Sequence, residues 1–186
     1  MNNLNYIIYG PGRTGSQLIT NELANFFTSE YTVYYDVLPD INPKAIIHTH
    51  NPNSKILNKE DFVCILSRRR DELAGILSEH IAMHTGEYGI YYKFDRGEKI
   101  DPFILAKEKI LGGVHARRDF YSQIDTLGYA KVVDIYLEDM LQYPYYLFES
   151  LGIPNVNIEY HCTKCPYGTE LIINIDEIRE YYQEIK

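Results

Sequence analysis

Short apolar runs alternate with amphipathic stretches along the 186-residue chain. Short apolar runs bounded by Gly, Pro or charged residues are typical of buried strands, whereas apolar positions three and four residues apart are typical of helices. We expect strands over 6–9, 32–37, 45–48, 61–67 and 131–136, and a further short one over 171–173. We expect helices over 17–27, 71–83, 101–127, 144–151 and 176–185, the last capped by Asp176.

Strands that alternate with helices predict an α/β fold. We expect one three-layer domain over residues 1–186, with a mostly parallel central sheet, and the length is sufficient for a substantial core. Ligands of such sheets bind beyond the carboxyl ends of the strands. The segments 10–16, 48–50 and 67–70 follow three of the predicted strands, so we expect them at one edge of the sheet. The stretch 132–154 is interpreted as a strand, a short acidic turn and a core helix with a structural role.

A glycine-rich segment follows the first predicted strand and reads G-P-G-R-T-G-S over residues 10–16. Strand, glycine-rich turn and helix form a P-loop-like phosphate cradle, because glycine lets the backbone approach an anion and the helix start presents N–H groups. A nucleotide-hydrolysing P-loop needs a lysine directly after its last glycine. Ser16 occupies that place, and Arg13 is the cation of the segment. The segment therefore suits the binding of a phosphate, but it lacks the usual lysine and a clear magnesium site.

Two histidines flank a threonine directly after the third predicted strand. In extended geometry His48 and His50 face the same side. Because imidazole titrates near neutral pH, the pair supplies a candidate general base; the alternative is a surface pair or a metal-prone pair.

An arginine cluster follows the buried strand over 61–67, and Ser78 lies eight residues after Arg70 on the next predicted helix. Arg70 can make paired hydrogen bonds and Ser78 can add a hydroxyl, so the two residues suit a binding site for a second phosphate group. The alternative is a solvated basic strand end with a surface serine.

Composition narrows the classes of partner. The net charge of −8 disfavours a general nucleic-acid binder, and no apolar run reaches the length of a membrane span. The start of the chain lacks a basic segment followed by an apolar stretch, so we expect a cytoplasmic protein without a membrane partner. Cys162 and Cys165 form a single pair beside His161, whereas zinc needs about four ligands, so we expect reduced thiols and no metal.

Taken together, these segments resemble the sulfotransferases that use 3′-phosphoadenosine 5′-phosphosulfate (PAPS). The similarity covers nearly the whole chain, in the family's order. It rests on Arg13-Thr14-Gly15-Ser16, on His48-Thr49-His50, on Arg70 with Ser78, on Tyr136-Leu137-Glu138-Asp139-Met140 followed by Pro144 and Leu151-Gly152-Ile153-Pro154, and on Lys164-Cys165-Pro166-Tyr167-Gly168 followed by Ile173-Asn174. His48 replaces a lysine that many members carry, and Arg13 is shared with many carbohydrate-type members.

The resemblance implies transfer of a sulfuryl group from PAPS to a hydroxyl or amine of a carbohydrate or small-molecule acceptor, without a required metal. It implies that the donor's 5′-phosphosulfate lies on Gly12, Arg13, Thr14, Gly15, Ser16 and Gln17. It implies that Arg70, Ser78 and Lys164 hold the 3′-phosphate. His50 is the implied base, with Asp36 as the second candidate, while Arg13 and His48 complete the catalytic set.

Two other functions stay open at this point. A small nucleotide or nucleoside kinase shares the strand, loop and helix but needs the lysine that Ser16 replaces. A non-catalytic nucleotide-binding module would keep the fold without turnover.

Overall fold

The computed structural model describes residues 4–36, 44–52, 59–86, 100–143, 145–154, 156 and 168–186. These residues divide into two compact units: unit 1 comprises the described residues within Met1–Arg70 and Asp119–His161, and unit 2 comprises those within Asp71–Arg118 and Cys162–Lys186. Lys164 and the pair Cys162 and Cys165 lie outside the described residues. No helix of the described residues is long and apolar enough to cross a membrane.

The strands are β1 (Asn5–Tyr9), β2 (Thr32–Tyr35), β3 (Ala45–Thr49), β4 (Phe62–Arg68) and β5 (Lys131–Tyr136). The helices are α1 (Ser16–Phe27), α2 (Glu72–Thr85), α3 (Lys107–Asp125), α4 (Leu137–Gln142), α5 (Tyr146–Ser150) and α6 (Ile175–Ile185). Short 3₁₀ turns cover Thr28–Glu30, Lys59–Asp61 and Thr169–Leu171.

The five strands form one sheet in the order β2-β3-β1-β4-β5, and each of its strand pairs is parallel. The central strand β1 is buried along its whole length. Its residue Ile8 lies beside His48 of β3 and beside Ile65 of β4. The carboxyl ends of β3, β1 and β4 therefore lie side by side, as predicted.

Apolar side chains cover both faces of the sheet in unit 1. Tyr6 and Ile8 pack in a cluster with residues of α1, α4 and α5. Ile7 and Tyr9 point to the opposite face, because side chains alternate along a strand, and there they pack with Phe120 and other residues of α3. The predicted three-layer α/β fold is confirmed in this arrangement of helices, parallel sheet and helix.

Unit 2 has its own apolar core, which joins α2, the first part of α3 and α6. The predicted helix over 101–127 was wrong at its start, since α3 begins only at Lys107. The residues before it are extended: the Phe103 N–H donates to the Leu171 carbonyl, and the Ile173 N–H donates to the Phe103 carbonyl. These bonds belong to one parallel bridge between Phe103 and Ile172, so the predicted strand over 171–173 is reduced to a single bridge.

Two further local predictions were wrong. The last helix is preceded by Asn174 rather than capped by Asp176, and the Asn174 side chain instead bonds both backbone groups of Leu105. The predicted acidic turn after β5 is the helix α4, whose Met140 is fully buried against the sheet. The charged residues Glu138 and Asp139 suggest a turn, but packing of Met140 against the apolar core of unit 1 favours a helix.

Candidate functional site

The loop between β1 and α1 depends on two glycines for its shape. Gly15 has φ +92°, and a side chain there would also strike Leu137, the first residue of α4, at 2.8 Å. At Gly10 an added Cβ would lie 2.5 Å from Thr14 Oγ1 and 3.0 Å from Ser67 Cβ. Glycine is thus required at Gly15 for backbone conformation and at Gly10 for space.

Hydrogen bonds from the protein interior fix this loop. The buried Thr14 hydroxyl donates to the Pro11 carbonyl at 2.9 Å, which closes the turn. Ser67, fully buried in β4, donates to the Thr14 carbonyl at 2.8 Å, and the Tyr121 hydroxyl donates to the Ser67 carbonyl at 2.6 Å. The loop is therefore held in place before any ligand arrives.

The residue that carries the cation of the loop has an unusual backbone conformation. Arg13 has φ 66°, in the left-handed region that a residue with a Cβ seldom adopts. Such conformations persist where the surroundings enforce them, and they are enriched at ligand sites. A second cation reaches the same turn, since Arg69 Nη1 lies 3.5 Å from the Arg13 carbonyl oxygen.

The start of α1 suits an anion. Gly15 caps this helix without a side-chain hydrogen bond, and its first turn contains no acidic residue. The first N–H groups of a helix lack intrahelical acceptors and carry the positive end of its dipole. The side-chain amide of Gln17, in the first turn of α1, donates to Asn21 Oδ1 at 3.0 Å and to the Tyr35 hydroxyl at 3.1 Å.

Ser16 and His48 form a buried pair below the loop. Ser16 Oγ lies 2.9 Å from His48 Nε2, and both residues are about 5% exposed or less. Burial, together with the nearby His50, lowers the pKa of His48 to about 4. His48 is therefore a neutral imidazole at physiological pH, and its place beside Ser16 suits positioning rather than proton exchange with a ligand.

His50 lies at the surface directly above this pair. Its ring is 4.7 Å from that of His48, and its Nδ1 faces the Gly10 carbonyl oxygen within hydrogen-bond distance. Because a carbonyl only accepts, Nδ1 carries a proton, so in the neutral form of the ring the lone pair lies on Nε2. This is the tautomer in which Nε2 can accept a proton.

Asp36 lies beside His50 and links the end of β2 to the end of β3 through hydrogen bonds. Its own N–H donates to the His48 carbonyl at 2.9 Å, and its Oδ1 accepts the His50 N–H at 3.1 Å. Asp36 is exposed and has φ 52°. The second candidate base thus lies in the same cluster as His50 and supports its backbone.

Arg70, at the end of β4, binds carboxylates of the segment after β5. Its Nε and Nη2 donate to the two oxygens of Asp139 at 2.9 and 2.6 Å, and its N–H donates to Glu138 at 3.0 Å. The stretch interpreted from sequence as structural therefore contributes two charged groups to this edge of the sheet. Ser78 lies on α2 of unit 2, and its predicted partnership with Arg70 stays a prediction.

Four residues outside the predicted site set also shape the site: Ser67, Tyr121, Arg69 and Asp139. Ser67 could have been found, since it is a polar residue at the end of an otherwise apolar run. Asp139 lies in the motif over Tyr136–Met140, but its contact with Arg70 leaves no local signal, because the two residues are 69 positions apart. No group of three or more His, Cys, Asp and Glu side chains among the described residues could hold a metal ion.

Comparison with family models, with curated proteins and with solved structures found no match to this chain. What this site does is therefore inferred from its own geometry and from the motifs in the sequence.

Proposed function

We propose that this protein is a PAPS-dependent sulfotransferase that acts on a hydroxyl or amine of a carbohydrate or small-molecule acceptor. The observation that carries the proposal is the grouping of His50 with the phosphate-type loop. An exposed imidazole, oriented by the Gly10 carbonyl, lies at the edge of a glycine-rich loop that opens a helix. A base placed beside an anion-binding loop suits transfer of an anionic group to a protic acceptor.

The fit of the donor rests on residues of unit 1. The 5′-phosphosulfate would lie along Gly12 to Gln17, against the uncapped start of α1, and Arg70 would bind the 3′-phosphate. The donor supplies the sulfuryl group and a stable phosphate leaving group. These residues offer backbone N–H groups and cations, which are the groups that bind phosphate and sulfate oxygens.

In the proposed reaction the acceptor oxygen or nitrogen attacks sulfur in line with the bond to the bridging oxygen. That bond breaks, and its electron pair stays on the 5′-phosphate, so that the products are the sulfated acceptor and adenosine 3′,5′-diphosphate (PAP). Arg13 and the N–H groups of the loop stabilise the charge that grows on the bridging oxygen. His50 Nε2 accepts the acceptor's proton.

The pair formed by Ser16 and His48 argues against the kinase alternative. In a P-loop kinase the side chain after the last glycine is a lysine that binds the transferred phosphate. Here it is a serine, and the adjacent imidazole is neutral because its pKa is lowered to about 4. This position therefore supplies no positive charge to a triphosphate.

Turnover measurements with matched variants test the proposal. The wild-type protein, incubated with PAPS and a panel of glycans, phenols and amines, is expected to form PAP together with a sulfated product. His50→Ala should lose turnover and keep its affinity for PAP, because the Nε2 lone pair is lost while the loop is intact. Asp36→Asn, which keeps an acceptor for the His50 N–H, should retain most of the turnover.

Each outcome bears on a different part of the proposal. If Asp36→Asn abolishes turnover and His50→Ala does not, the base is Asp36. If the wild-type protein binds PAP but forms no sulfated product with any acceptor, the non-catalytic module is favoured. If it binds ATP with magnesium and does not bind PAP, the proposed donor is wrong.

A further inference from the structure

Three consecutive arginines at the end of β4 each contact a carboxylate of β5 or α4. The pairs are Arg68 with Asp134, Arg69 with Glu138 at 3.3 Å, and Arg70 with Asp139 at 2.6 Å. The third pair differs from the other two in its exposure. The Arg70 side chain is 59% exposed while that of Asp139 is 16% exposed, whereas in the other two pairs the arginine is the less exposed partner.

The Arg70 guanidinium is held in one orientation. Asp139 binds its Nε edge through both carboxylate oxygens, and the resulting hydrogen bonds lower the pKa of Asp139, so the pair stays ionised. The ring of Tyr136 lies 4.3 Å from Arg70 Cζ and supports the plane of the guanidinium. Glu138 fixes the backbone by accepting the Arg70 N–H.

Among the described residues, these contacts leave the opposite edge of Arg70 for a ligand. A guanidinium carries five N–H donors, and Asp139 accepts from the edge formed by Nε and Nη2. The edge formed by Nη1 and the second Nη2 hydrogen has the same fork geometry, which matches two oxygens of a phosphate. Because Arg70 is the more exposed partner of this pair, that edge lies on the solvent side.

We infer that Asp139 is a positioning residue, which orients Arg70 so that its outer edge binds the 3′-phosphate of the nucleotide. The inference rests on the proposed function, because it takes the Arg70 ligand to be that phosphate. By its charge alone Asp139 would be expected to weaken phosphate binding, whereas the inference assigns it a role that strengthens this binding. A carboxylate beside a phosphate site repels the ligand, whereas a carboxylate that immobilises the phosphate-binding arginine reduces the entropy lost on binding.

The sign of one affinity change separates the two roles. Asp139→Ala is expected to weaken PAP binding by about two- to tenfold, the cost of ordering one long side chain on binding. If repulsion by the carboxylate were the larger effect, the same variant would bind PAP more tightly. Binding of ADP, which has no 3′-phosphate, should be unchanged, because ADP does not require Arg70. A general disturbance of the fold would weaken both ligands.

Three further variants complete the experiment, with isothermal titration calorimetry on the full chain as the readout. Asp139→Asn, which keeps an oxygen acceptor, should fall between wild type and Asp139→Ala. Asp134→Ala is the matched control, since it removes the carboxylate of Arg68 and should leave PAP affinity unchanged. In an Arg70→Ala background, Asp139→Ala should cause no further loss, because the side chain that it positions is gone.

The outcomes are distinguishable. A weaker PAP affinity for Asp139→Ala that disappears in the Arg70→Ala background supports the inference. An unchanged or tighter PAP affinity, or an equal loss for ADP, overturns it while leaving the proposed function intact. If the wild-type protein binds PAP no more tightly than ADP, both the proposed donor and this inference are wrong.

Discussion

Replacing Gly10 with alanine tests how tightly the phosphate-type loop is packed. The cost is steric rather than conformational, because Gly10 does not have a left-handed φ. The new methyl would lie 2.5 Å from Thr14 Oγ1, 3.0 Å from Ser67 Cβ and 3.1 Å from Ser16 Cβ. The Thr14 hydroxyl would have to turn away from the Pro11 carbonyl, and the two Cβ atoms can move only if the backbone moves with them.

Two contributions set the expected magnitude. A hydrogen bond lost in a buried place costs about 1–3 kcal/mol, and overpacking in a dense region costs about 1–3 kcal/mol more. We therefore expect Gly10→Ala to reduce the free energy of unfolding by about 2–6 kcal/mol. The assay is urea unfolding followed by far-UV circular dichroism, and a second measurement on the same samples should show weaker PAP binding.

Gly112→Ala is the control for Gly10→Ala. Gly112 lies inside α3, and an added Cβ there would meet no atom of the described residues within 4 Å. Alanine there should increase the free energy of unfolding by about 0.5–1 kcal/mol, because it restricts the unfolded chain and favours a helix. If Gly10→Ala unfolds within about 0.5 kcal/mol of wild type, as an ordinary surface substitution would, the account of a rigid loop is refuted.

Two further predictions concern stability. The pKa of His48 is 6.5 in the unfolded chain and about 4 in the folded protein. As the pH falls, the unfolded chain therefore binds a proton on His48 before the folded protein does. About 3 kcal/mol of folding stability that is present above pH 6.5 is lost as the pH falls towards 4. His48→Gln should flatten this part of a plot of unfolding free energy against pH; an unchanged slope would show that His48 titrates normally. Gly113→Ala places a Cβ 2.9 Å from Ile76 Cγ2 and should lower the melting temperature, whereas the neighbouring Gly112→Ala should raise it. A rise for both variants would contradict the packing of α3 against α2.

The sheet could be predicted from sequence because its strands are short apolar runs with clear boundaries. The runs over 131–136 and in the centre of β4 predict strands in this way, and the alternation with helices predicts parallel order. The start of α3 was missed because pairing between Phe103 and Ile172 holds the preceding residues extended. A local pattern contains no information about a partner 69 residues away.

The position of the candidate site in the fold could be predicted from sequence, but the contacts within it could not. Parallel strands put their carboxyl ends at one edge, so the loop, His50 and Arg70 were expected together. Which nitrogen of His50 holds a proton depends on its contact with the Gly10 carbonyl, and the orientation of Arg70 depends on Asp139. Both contacts join residues that are far apart in the sequence.

The central claim is that this site binds an adenosine nucleotide through a 5′-phosphate on the loop and a 3′-phosphate on Arg70. Isothermal titration calorimetry of the wild-type protein with PAP, ADP and ATP, each with and without magnesium, tests this most directly. We predict that PAP binds more tightly than ADP or ATP and that magnesium does not change its affinity. Strong binding of ATP only in the presence of magnesium, with no binding of PAP, would contradict the claim.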